Sequence, residues 1–167
     1  MIPKVTSPEE LGDLRLLSCT ALFSKLMESY VLERMKKEVI IGSNQYGGQK
    51  KCSTQHYLVR MWNEVLESLE EPGYAVSVLA INFRKAFNSV RHDACIEALK
   101  NHGASPFTTE MAHAFLQGRK MRARIGGTLS EDLPICGGSP QGTLLGNFLL
   151  VVVTDRLEQT GAHVENV

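Results

Sequence analysis

Eight consecutive residues, Tyr74 to Ile81, carry no charge and no proline, and they are weighted toward β-branched and aromatic side chains. Pro72-Gly73 ahead of them breaks any preceding helix, so the run predicts a buried strand. Around it the pattern is helical. Leu22, Phe23, Leu26, Tyr30, Val31 and Met35 recur at three and four, which predicts an amphipathic helix from about Leu22 to Val39. Tyr57, Leu58, Met61, Trp62, Val65, Leu66 and Leu69 form the apolar stripe of a second helix that Ser53 or Thr54 can cap, with Glu64, Glu67, Glu70 and Glu71 on its solvated face. Residues 1 to 18 read as an extended arm or hairpin, and Gly42 to Lys51 as a loop.

Beyond the strand, a helix is expected from about His92 to His102, stopped by Gly103. Another starts with Ser105 as cap and Pro106 in its first turn and stops at Gly118. Met121 to Ile125 alternates apolar and basic residues as a half-exposed strand does, with Gly126-Gly127 as its turn. A last helix is expected from Thr143 to Gln159 after the loop Cys136 to Gly142. Helices and strands interleaved without βαβ regularity predict an α+β fold, and 167 residues suit one domain.

Composition removes several classes of function. With 43% hydrophobic and 22% charged residues the chain is of globular type. Lys plus Arg equals Asp plus Glu at 18 each, so any grip on a polyanion must be local. Cys19, Cys52, Cys95 and Cys136 show neither zinc-ligand spacing nor a disulfide framework, and reduced thiols in a cytosolic or nuclear protein are expected. The start Met1-Ile2-Pro3-Lys4 has no apolar signal core, and Leu144 to Val153 is too short to span about 30 Å of hydrocarbon, so a soluble, unsecreted protein with no membrane partner is expected.

Four blocks carry chemistry. Ile2-Pro3-Lys4 is followed by Asp13-Leu14-Arg15-Leu16-Leu17-Ser18; then come Lys25 and Glu28, Gln45-Tyr46-Gly47 and Ser53-Thr54. The third block is Ile81-Asn82-Phe83-Arg84-Lys85-Ala86-Phe87, and the fourth is Gly138-Ser139-Pro140-Gln141-Gly142-Thr143-Leu144-Leu145-Gly146. In order and spacing these resemble the IPK, DxRPIS, QxGF, DFxKAF and GxPQGSxLGP motifs of reverse transcriptases from non-LTR retrotransposons and group II introns. Leu16 and Asn147 stand where that family has Pro. The resemblance covers nearly the whole chain and implies fingers over about residues 1–72 and part of the palm over about 73–167.

The family adds a deoxynucleotide to a primer 3′-hydroxyl while two Mg²⁺ ions stabilise the attacking and leaving oxygens. The resemblance implies that Lys4 and Arg15 contact the triphosphate and that Phe87 lies under the sugar and rejects a 2′-hydroxyl. It also implies that Gln141 and the Gly142 backbone frame the nascent base pair. From the residues alone, Phe87 could equally be a core aromatic and Gln141 an exposed turn residue. Arg119, Lys120, Arg122 and Arg124 are the candidate nucleic-acid contacts; alternating charge also guards an edge strand against aggregation.

The departures decide the expected activity. Asn82 stands where the resemblance places the first catalytic aspartate, and Asn brings no negative charge to a Mg²⁺ ion. The aromatic-x-Asp-Asp block expected after the last helix is not reached by Val167. Asp93, Asp155 and Glu158, the remaining carboxylates in reach, suit solvated surface better than a metal site. No intact catalytic residue, no metal site and no cofactor of its own are therefore expected. The expected function is a degenerate, inactive fragment with weak RNA or DNA binding; the alternatives are a protein-interaction module or part of a polymerase completed by another chain. Lacking a partner hairpin, Tyr74 to Ile81 would become an uncharged edge and Leu149 to Val153 an uncovered apolar patch, so self-association is expected.

Overall fold

The computed structural model describes residues 2–10, 13–15, 17–70, 72–125 and 127–155. Two short strands open the chain: β1 (Ile2–Pro3) pairs antiparallel with β2 (Leu14–Arg15), so the amino-terminal arm is a hairpin. Helix α1 (Leu22–Glu38) follows, steadied by Glu33–Lys37 and Arg34–Glu38 pairs one turn apart. Helix α2 (Thr54–Leu69) starts at Ser53, whose hydroxyl accepts the His56 amide. A one-turn helix α3 (Ala86–Ser89) leads into α4 (His92–Asn101). Ser105 then caps α5 (Pro106–Leu116) by accepting the Thr108 amide.

The basic segment is two separate ladders. Strand β3 (Lys120–Met121) pairs with β6 (Leu133–Pro134), and β4 (Arg124–Ile125) pairs with β5 (Thr128–Leu129). The expected turn residue Gly126 lies outside the described residues, while Gly127 has the positive φ that such a turn uses. The final helix is α6 (Leu144–Asp155); the expected continuation to Gln159 lies outside the described residues, as do Leu16, Glu71 and Glu158. Mixed helix with few strands fits the α+β class.

The core is helical. Helix α6 packs on α4 and α1, and α5 packs on the same two helices. Met35, Leu99, Leu116, Leu149 and Val152 are wholly buried between them; burial of each contributes about 1.5–3 kcal/mol. In α1 only the face carrying Val31 and Met35 enters this core, whereas Leu22, Phe23, Leu26 and Tyr30 stay exposed. The predicted stripe therefore divides between two faces.

Two expectations fail. Tyr74 to Ile81 forms no strand and pairs with nothing among the described residues, and Val78 and Leu79 are 64% and 82% exposed. Pattern can ask for burial, but a strand also needs a neighbour to take its N–H and C=O groups. The predicted apolar patch at Leu149 to Val153 is also absent: Leu149 and Val152 are buried because α1 and α4 close over that side of α6. Helix α2 forms where expected, yet none of its residues is buried, and Tyr57, Leu58, Trp62, Leu66 and Leu69 face outward. Among the described residues no helix is long and apolar enough to cross a membrane.

Candidate functional site

The turn ahead of α6 is held from three directions. On one side Gly138 donates its amide to the Val90 carbonyl at 2.8 Å, and Ser139 donates to the Phe87 carbonyl at 2.6 Å. A side chain at position 138 would place its Cβ 2.9 Å from that same carbonyl, and Gly138 has φ +83°, so glycine is required twice over. His92 donates from Nε2 to the Gly138 carbonyl at 3.0 Å, since a carbonyl can only accept.

From inside, the Thr143 hydroxyl donates to the Pro140 carbonyl at 2.7 Å and accepts the Gly146 amide at 3.1 Å, as an N-cap does. Ser139 Oγ closes the turn on the Gly146 carbonyl at 2.9 Å. Gly146 sits so close to the Pro140 carbonyl that no side chain fits there. From the third direction Glu28, buried in α1, accepts the Leu144 amide at 2.9 Å and the Leu145 amide at 3.4 Å.

The apex of this turn, Gln141-Gly142, meets the amino-terminal hairpin. Ser18 donates its amide to the Gln141 carbonyl at 2.8 Å. Strand β2 ends three residues earlier, with Arg15 opposite Ile2 and the Lys4 amide on the Asp13 carbonyl at 2.7 Å. The backbones bearing Phe87 and Gln141 thus meet at one turn, and the hairpin that carries Lys4 and Arg15 is tied to its apex. Lys4 is exposed; the Arg15 side chain lies outside the described residues. Phe87 and Gln141 are both half-buried, and the backbone carbonyl of Gln141 is engaged by Ser18.

Asn82 is exposed on the unpaired segment ahead of α3. Between them Lys85 takes the left-handed conformation, φ +56°, which costs a side-chain-bearing residue about 1 kcal/mol. Its carbonyl recovers part of this by accepting the Asn88 and Ser89 amides at 2.8 and 3.1 Å. The bend carries the chain from Asn82 into α3, where the Phe87 carbonyl meets the turn.

Among the described residues the carboxylates do not assemble a metal centre. Asp93 is exposed and paired with Arg91, whose guanidinium draws its carboxyl down to about 2. Asp155, expected on solvated surface, is buried instead: it accepts the Gly42 amide at 3.0 Å and takes His102 Nε2 at 2.9 Å. Burial follows from its place on the α4-facing side of α6, where only a fully bonded carboxylate is tolerated. No group of three His, Cys, Asp or Glu among the described residues could hold an ion. The described residues do not fit the two-Mg²⁺ centre that the motif implies.

The basic cluster is dispersed. Arg119 is half-buried over the Phe115 ring, 4.7 Å from its centroid, and donates to the Phe115 carbonyl at 3.2 Å. Burial lowers its pKa, and the charge of Glu28 partly restores it. Arg122 pairs with Asp132, which raises its pKa, and Lys120 lies 4.0 Å from the same carboxylate. Arg124 is exposed on β4.

Of the residues that build the site, Thr143 was expected as the first residue of the last helix and stands instead just ahead of it, as its cap. Glu28 was named with Lys25 in the second block, and it falls on the same stripe as Val31 and Met35, where a carboxylate needs a reason. Ser18 and Ser139 were visible only as members of their motif blocks, because the backbone contacts that their amides make, with Gln141 and Phe87, lie more than fifty residues away.

A family model described as reverse transcriptase (RNA-dependent DNA polymerase) matches residues 2–164. A probable RNA-directed DNA polymerase from transposon BS of Drosophila melanogaster is 28% identical over 98% of this chain and 18% of its own length. The RNA-directed DNA polymerase from mobile element jockey of Drosophila funebris is 30% identical over 88% of this chain and 16% of its own. A retrovirus-related Pol polyprotein from the type-1 retrotransposable element R2 of Popillia japonica is 25% identical over 94% and 22%. The chain spans about a fifth of the length of these curated relatives. With the family model matching residues 2–164, nearly the whole chain, the chain belongs to the reverse transcriptase (RNA-dependent DNA polymerase) family.

Proposed function

We propose that this chain supplies the nucleotide seat of a retrotransposon-type polymerase, fingers over about residues 1–72 and part of the palm over about 73–167, without its metal chemistry. In this reading Lys4 and Arg15 take the triphosphate as charge-assisted donors, Phe87 lies under the sugar, and Gln141 with the Gly142 backbone frames the base pair. Asn82 carries the proposal. Its amide can offer an oxygen but no charge at the position where the motif demands an aspartate, and Asp93 and Asp155 are committed elsewhere.

Primer extension on an RNA template tests it. Incorporation with Mg²⁺ or Mn²⁺ stays at the level of a heat-inactivated control; synthesis above that level overturns the reading. Binding to an RNA/DNA hybrid is weak and falls steeply between roughly 50 and 200 mM salt. Alanine at Arg119, Lys120, Arg122 and Arg124 together removes most of it, and unchanged binding would assign the cluster to solubility.

A second reading, self-association, is favoured by the exposure of Val78, Leu79 and Ile81 on an unpaired run. Open N–H and C=O groups without a flanking charge invite strand addition from a second copy. Light scattering at low micromolar concentration separates a monomer from an assembly.

A further inference from the structure

We propose that Glu28 is a positioning residue that fixes the Pro140–Gly142 apex from below, by holding the first turn of α6. The start of a helix leaves amides unpaired and attracts negative charge. Here that charge comes from the chain itself, across more than a hundred residues of sequence: Oε2 of Glu28 takes the Leu144 and Leu145 amides. Its place in α1 is otherwise apolar, on the buried face with Val31 and Met35. A carboxylate there is a costly choice, and the cost is not fully offset, because Oε1 is buried with no hydrogen-bond partner among the described residues.

What the carboxylate secures is geometry. Leu144 and Leu145 follow directly on Thr143, whose hydroxyl ties Pro140, and precede Gly146, whose carbonyl holds Ser139. If the first turn of α6 unwinds, both ties lose their anchor and the apex keeps only its outer supports, the Ser18 contact with Gln141 and the Gly138 and Ser139 bonds to Val90 and Phe87. Ser139, Thr143 and Ser18 shape the turn, and Glu28 sets where it stands relative to α1. That the apex so placed would frame a base pair rests on the reading given above.

Amide hydrogen exchange of the full chain, resolved by residue, tests Glu28 without any nucleic acid. In Glu28→Ala the Leu144 and Leu145 amides should exchange about tenfold faster, the scale of losing one charged cap. Residues 95–99 of α4 should keep wild-type protection. Glu28→Gln retains an accepting oxygen and should limit the rise to a few-fold, and it serves as the test should the alanine variant not fold. Unchanged protection at Leu144 and Leu145 in both variants would overturn the proposal, as would equal acceleration throughout α1, α4 and α6, which marks a merely structural role. Absent hybrid binding counts against the apex reading, whereas a flat exchange profile counts against Glu28.

Discussion

Helices α2 and α4 both present an apolar stripe at helical spacing, yet α4 buries Cys95, Ala98 and Leu99 completely and α2 buries nothing. Their sequences differ in the wrong direction for this outcome: α2 is longer and carries Trp62 and Tyr57 on its stripe. The difference lies in what each meets. Helix α4 is flanked by α6, which is rich in Leu and Val, and by α5, which turns Ala112 and Leu116 into the core, whereas α2 packs closely on no other helix among the described residues; its Tyr57 ring meets Tyr46 edge-on at 5.6 Å. Amphipathicity states that a face can be covered and is silent about the cover.

The comparison breaks most visibly under truncation. Leu149→Ala should cost about 2–5 kcal/mol in chemical denaturation, while Leu79→Ala should fall within about 0.5 kcal/mol. Equal losses would mean that the segment near Leu79 is covered in solution. Thiol chemistry gives the next largest contrast. Burial pushes the Cys95 thiol up to about 11 from 9.0, so its thiolate is roughly a hundredfold scarcer near neutral pH. Alkylation should therefore label exposed Cys19, Cys52 and Cys136 quickly and Cys95 only on unfolding.

Smaller effects sharpen the contrast at the surface. Val78→Lys should lower the apparent mass in light scattering if the extended run pairs between copies, and leave α4 protection unchanged. Asp132→Asn should tighten hybrid binding about threefold at roughly 50 mM salt by releasing Lys120 and Arg122 from their shared acid. No gain would show that these cations do not reach the hybrid. The smallest effect is a pH dependence at Glu38. The Ser105 amide, then the Thr108 and Ser105 hydroxyls, hold its carboxyl at about 2 against the usual 4.5, favouring the ionised form in the folded chain. Its contribution is whole above pH 4.5 and is lost as pH falls toward 2, a slope in melting temperature that Glu38→Gln should flatten.

Most helices were legible because periodicity, Ser53, Ser105 and Pro106 fix them locally. The turn at Gly138 to Gly146 was legible as a motif, but its supports were not, since Phe87, Ser18 and Glu28 approach from distant parts of the chain. Tyr74 to Ile81 misled for the complementary reason: composition names a strand, and pairing requires a second one. Asp155 misled because a lone acid late in a helix carries no mark of the Gly42 amide and His102 ring that enclose it.

Helix α6 is about 18 Å long at 12 residues, with a buried acid engaged at each end, Glu28 at its start and Asp155 at its finish. Mechanically it is a strut pinned at both joints. Gln45, bonded to Thr154 at 3.0 Å, adds a second pin on the Asp155 side, so the loop around Gly42 and the Pro140 turn stand a fixed length apart. Neither can slide along the helix axis without breaking a bond in the interior, and a push on one joint is delivered to the other as displacement instead of being absorbed as bending.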